Sequence, residues 1–61
     1  MENIFLSARL RLGYTQVEVA NRTDISQATI SKIEQDNDLS TYPFSTIKKL
    51  CSFYCIDINK L

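Results

Sequence analysis

The 61-residue chain has no histidine, one glycine, one proline and two cysteines, and its seven basic residues are matched by seven acidic ones. Without histidine it lacks the side chain that most often moves a proton near neutral pH. A lone glycine excludes a glycine-rich phosphate loop. No paired acid/base constellation is visible, and so short a chain leaves little room for a substrate pocket. The chain is read as a non-enzyme. Cys51 and Cys55 would need two further soft or nitrogen donors to hold a metal, and the sequence offers neither histidine nor another cysteine. No metal and no cofactor are therefore expected. Four-residue spacing suits neighbouring thiols on a helix better than a loop-closing bridge, so both read as small core hydrophobes in a reducing cytosol.

Long apolar runs are missing as well. The opening segment MENIFLSARLRLG carries an acid at its second position and arginines in its middle. It fits neither a signal peptide nor a membrane span, and a cytoplasmic protein is expected. Asn21-Arg22-Thr23 matches a glycosylation acceptor, but by helical spacing it falls inside a helix, and we read it as chance. No repeat, linker or low-complexity stretch divides the chain. Residues 1–61 are read as one domain, whose core is small enough to need economical helix packing or a partner chain.

What is present is helical periodicity in four segments. Ile4 to Leu12 places Phe5, Ala8 and Leu12 on one face, and Gly13 stops the helix in the manner of a left-handed cap. Thr15-Gln16-Val17-Glu18 has the form of a capping box, which starts a second helix from Gln16 to Thr23 burying Val19, Ala20 and Thr23. Asp24-Ile25-Ser26 makes a corner: Asp tolerates the left-handed region, Ile25 enters the core and Ser26 caps a third helix from Gln27 to Gln35. That helix buries Ile30 and Ile33 and turns Gln27, Ala28, Ser31 and Lys32 outward. DNDLSTYP is a loop, and Pro43 or Ser45 begins a fourth helix reaching Tyr54, with Ile47, Leu50, Cys51 and Tyr54 inward. CSFYCIDI alternates well enough for a strand, but the spacing from Ile47 through Leu50 to Tyr54 favours helix. A final turn or short fifth helix starts near Asp57. The expected fold class is all-α, with a helix-turn-helix at about 16–35.

The stretch LGYTQVEVANRTDISQATISKIE resembles the Cro/CI-type, or XRE, helix-turn-helix family of bacterial and phage regulators. Gly13, Tyr14, Thr15, Gln16, Ala20, Ile25, Ser26, Ile30, Ser31, Ile33 and Glu34 carry the likeness in order. It implies a compact lambda-repressor-like domain of four to five helices whose third helix reads DNA. Ala20 also has a steric reason, because helices that cross steeply through a short turn need a small residue where they meet. Departures are Asp24 and Cys55, where the family usually has glycine, and Thr23, where it usually has leucine. Asp36-Asn37-Asp38-Leu39 stands where many relatives carry glycine and basic residues, which weakens the expected loop contacts to phosphate.

The resemblance implies the site as well. Gln27 offers a bidentate amide to adenine, Ala28 meets a thymine methyl, and Ser31 and Lys32 reach a base or phosphate one turn on. Gln16 holds a phosphate and braces Gln27, while Ser26, Arg11, Asn37 and Tyr42 are further phosphate contacts. Arg9 is expected to pair with Glu34. A dimer seam is expected at Tyr54, Ile56, Ile58 and Leu61, which form more apolar bulk than so short an end needs. Net charge is then the wrong quantity to weigh. Arg9, Arg11, Arg22 and Lys32 belong to the first three helices, whereas Asp36, Asp38 and Asp57 come later. The expected function is a dimeric regulator, a repressor on a palindromic double-stranded operator. The alternatives are the antitoxin of a toxin–antitoxin operon and a protein-interaction module without DNA binding, the latter using Leu6 and Leu10. Either brings in a protein partner such as a toxin or anti-repressor.

Overall fold

The computed structural model describes residues 3–36 and 38–60. Four α-helices follow one another: α1 (Ile4–Leu12), α2 (Gln16–Thr23), α3 (Gln27–Gln35) and α4 (Phe44–Tyr54). Short 3-10 turns lie at Leu39–Thr41, within the expected loop, and at Ile58–Lys60. The aromatic, β-branched segment is helical, and no strand occurs among the described residues. No helix of the described residues is long and apolar enough to cross a membrane.

Local chemistry sets each boundary. Gly13 takes φ 78°, and the amides of Gly13 and Tyr14 donate to Leu10 and Arg9 carbonyls at 3.1 and 3.2 Å, closing α1. At α2 the Thr15 hydroxyl accepts from the Glu18 amide at 3.1 Å and the Glu18 carboxylate accepts from the Thr15 amide at 2.9 Å, the reciprocal capping box. Hydrogen bonds to the carboxylate from the Thr15 backbone amide, and then from the Thr15 side chain, hold the Glu18 carboxyl below its ordinary pKa. Thr23, in place of a hydrophobe, is buried because its hydroxyl donates to the Val19 carbonyl at 2.7 Å and accepts from the Ile25 amide at 3.4 Å.

Both positions where a side chain replaces the family's glycine are left-handed: Asp24 at φ 61° and Cys55 at φ 59°. Asp24 ends α2, its amide donating to the Ala20 carbonyl at 3.0 Å. Its carboxylate accepts no hydrogen bond among the described residues. Asp24→Gly is therefore expected to leave stability unchanged or raise it by about 1 kcal/mol, the strain scale of a non-glycine residue there. A urea titration showing a clear loss would mean that the carboxylate stabilises the corner by a contact not seen here.

Phe5, Ala8, Val19, Ile25, Ile30, Ile33, Ile47, Leu50, Cys51 and Tyr54 make the core, with Ala20 packed against it. An aromatic row runs through it, from Tyr14 to Phe53 (5.4 Å between centroids), Tyr54 (5.3 Å) and Phe5 (6.5 Å). Two expectations fail. Leu12 is 47 % exposed, because the part of α1 that the core covers ends one turn earlier, at Ala8. Cys55 is exposed rather than core, since the backbone has already turned left-handed there; Cys51 is buried, and both thiols are free. Burial pushes the Cys51 thiol up in pKa.

Candidate nucleic-acid interface

α2 and α3 meet through the three residues Asp24-Ile25-Ser26, with Ile25 anchored in the core. Ser26 caps α3: its hydroxyl accepts from the Thr29 amide at 3.2 Å and donates to the Thr29 hydroxyl at 2.8 Å. Immediately after this cap Gln27 and Ala28 are exposed, as is Lys32 one turn further; Ser31 is half-buried. The Ser31 hydroxyl accepts from Gln35 Nε2 at 3.2 Å. On its opposite face α3 buries Ile30 and Ile33, so its outer face is held at a set angle to α2.

A buried polar cluster locks that angle. Arg9 of α1 donates from Nε to Glu34 Oε2 at 2.7 Å and from Nη2 to Glu34 Oε1 at 3.1 Å, a two-pronged pair whose side chains are 12 % and 3 % exposed. The remaining arm, Nη1, donates to the Tyr14 carbonyl at 2.9 Å. Glu34 Oε1 also accepts from Gln16 Nε2 at 3.0 Å. One carboxylate thus joins α1, the start of α2 and the end of α3. Its hydrogen bond holds the Arg9 guanidinium above its ordinary pKa. Tyr54 lies close enough for burial, and then the Glu34 charge, to push its phenol up to about 12. Its hydroxyl has no hydrogen-bond partner among the described residues.

Gln16 and Gln27 line one shallow depression, together with Leu10 and Val17, which are 53 % and 50 % exposed. Arg11 is not brought to this group; it lines a second depression with Ile4, Cys55 and Asp57. Arg22 lies over the Tyr14 ring at 5.3 Å. Tyr42 is half-buried against the core, its hydroxyl donating to Asp36 at 3.5 Å. Asn37 and Leu61 lie outside the described residues. Tyr54 is corrected as a candidate for a dimer seam. At 2 % exposure its surface is already covered by its own chain, which leaves Ile56 and Ile58, both half-buried.

A family model described as helix-turn-helix matches residues 6–61. The chain belongs to this family, of the XRE type. Neither the curated proteins nor the solved structures contain a match. Helix-turn-helix proteins of this type are DNA-binding regulators.

Sequence reasoning missed two features of this helix-turn-helix protein. Asn3 caps α1 through its side-chain oxygen, which accepts from the Leu6 amide at 2.9 Å, while its Nδ2 donates to the Ile33 carbonyl and, at 3.3 Å, to that of Asp36. One side chain thus serves the start of α1 and the end of α3. An asparagine just before a periodic segment was the signal for the first role; no local signal exists for the second. The Gln16–Glu34 bond was equally hidden, because it spans eighteen positions of sequence.

Proposed function

We propose that this helix-turn-helix protein is a sequence-specific transcriptional repressor that binds a palindromic double-stranded operator as a homodimer. The observation that carries this reading is the exposed face of α3, which begins with Gln27 directly behind the Ser26 cap and is locked to α1 and α2 by Glu34. On this reading Gln27 pairs bidentately with adenine, Ala28 meets a thymine methyl, and Ser31 and Lys32 contact the next bases or phosphates. At the starts of α2 and α3 the backbone N–H groups of Gln16 and Ser26 face the phosphates, which they hold without net charge. Neutrality is then no obstacle, and weak monomer affinity is recovered by two-fold binding.

The test is affinity for an operator selected from random DNA and for its single-base variants, at two salt concentrations. Gln27→Ala is expected to cost roughly 1–3 kcal/mol and to relax preference at one base pair per half-site. Lys32→Ala, if the ammonium holds phosphate, weakens all sequences alike and flattens the salt slope by about one unit. Full discrimination in Gln27→Ala would sink the assignment of α3 as reader.

The dimer half of the proposal rests on Ile56 and Ile58, apolar side chains left half-buried beside the end of α4. Ile58→Asp is expected to lower self-association and operator affinity together, because a charge in an apolar seam is costly. Sedimentation of the parent protein as a monomer at high concentration, with and without operator, would overturn this half alone.

A further inference from the structure

We infer that Glu34 is a positioning residue for base reading: its buried carboxylate fixes which way round the Gln16 amide is held, and through Gln16 the orientation of the Gln27 amide. The inference rests on the proposed function and deepens it. A glutamine amide has a donating end and an accepting end of nearly equal size, so its orientation is set by its neighbours. An ionised carboxylate can only accept. Glu34 Oε2 and Oε1 accept from the Arg9 guanidinium at 2.7 and 3.1 Å, and Oε1 faces Gln16 Nε2 at 3.0 Å. The nitrogen of Gln16 must therefore turn inward, and its carbonyl oxygen is the end left for the depression that Gln16 shares with Gln27.

A carbonyl offered there accepts from a neighbouring Nε2 and rejects a neighbouring carbonyl. Gln27 answers it with its own amino group, which has a second proton to donate to adenine N7, while the Gln27 carbonyl accepts from adenine N6. Each hydrogen bond sets the direction of the next, starting from a charge whose side chain is 3 % exposed. If the Gln16 amide were free to turn over, it would accommodate the reversed Gln27, which presents donor and acceptor in the wrong order for adenine. Glu34 touches no base in this arrangement. Its contribution is to selectivity.

The experiment compares parent, Glu34→Gln and Gln16→Met for affinity to the selected operator and its variants at the base pair read by Gln27, with urea melts to measure the folded fraction. Side-chain amide NMR of Gln16 is recorded in the free parent and in Glu34→Gln. A neutral amide at position 34 can donate as well as accept, so folded Glu34→Gln is expected to lose about tenfold in preference at that base pair. Other base pairs should keep theirs. Gln16→Met, which keeps the Arg9–Glu34 pair, should lose the same preference, and adding Glu34→Gln to it should change preference no further. The Gln16 amide protons should be protected from exchange in the parent and unprotected in Glu34→Gln.

A uniform loss across all variants, or an unchanged preference in Glu34→Gln or Gln16→Met, overturns the inference and leaves Glu34 a structural residue. If Glu34→Gln does not fold, Gln16→Met and the parent spectrum decide alone. A parent with no base preference anywhere defeats the proposed function instead, and the amide spectrum still decides whether Glu34 holds Gln16; unprotected Gln16 protons in the parent overturn the positioning by themselves.

Discussion

Arg9→Ala is expected to leave most of the protein unfolded at 25 °C. The substitution strips the guanidinium from a carboxylate whose side chain is 3 % exposed, leaving Gln16 as its hydrogen-bond donor among the described residues. Removing one partner of a buried pair costs about 3–5 kcal/mol, because the other charge stays buried and uncompensated. A core of this size supplies only about 3–5 kcal/mol in total. The Tyr14 carbonyl loses its 2.9 Å partner in the same step, which loosens the corner between α1 and α2. Circular dichroism against temperature checks the expectation directly: for so small a domain each kcal/mol moves Tm by about 4–8 °C. Replacing both partners by methionine should recover most of the loss, since an apolar pair of similar volume leaves no charge behind. A drop in Tm below about 5 °C for Arg9→Ala would mean that water already screens the pair.

Phe5→Ala should be comparably damaging by a different route. Phe5 is 1 % exposed and its ring lies 6.5 Å from that of Tyr54, at the end of the aromatic row that reaches Tyr14. Truncation forfeits the burial of a whole ring and opens a cavity between α1 and α4, for a cost of about 3–5 kcal/mol. Leu10→Ala is the control on the same helix: at 53 % exposure it should change stability by no more than about 0.5 kcal/mol. Equal effects of the two substitutions in urea melts would contradict the face of α1 that the core uses.

The capping chemistry and the helix spans were legible in the sequence because each depends on neighbours within one turn. The box Thr15–Glu18, the Ser26 cap and the left-handed Gly13 are contacts among residues at most five apart. Helical spacing likewise named Phe5, Val19, Ile30, Ile33, Leu50 and Tyr54 as buried, since a periodic apolar stripe has to face something. The likeness to the XRE family supplied what spacing could not, the Arg9–Glu34 pairing. It could not say that Leu12 faces solvent. By rotation Leu12 lies on the same stripe as Phe5, yet Phe5 is buried and Leu12 exposed, since only the tertiary packing sets where along α1 the core ends.

Long-range polar contacts belong wholly to the tertiary structure. Nothing within a turn of Asn3 announces that its amide serves α3 thirty residues away, or within a turn of Gln16 that its nitrogen faces Glu34. A side-chain donor can satisfy any acceptor the fold brings within reach, so its partner is set only once the helices have packed. Tyr54 makes the same point from the apolar side. Its spacing marked it for the core, and its place near the chain end suggested a seam with a second copy. Only the packing of α1 against α4 decided between them, because a ring covered by its own chain has no area left for another.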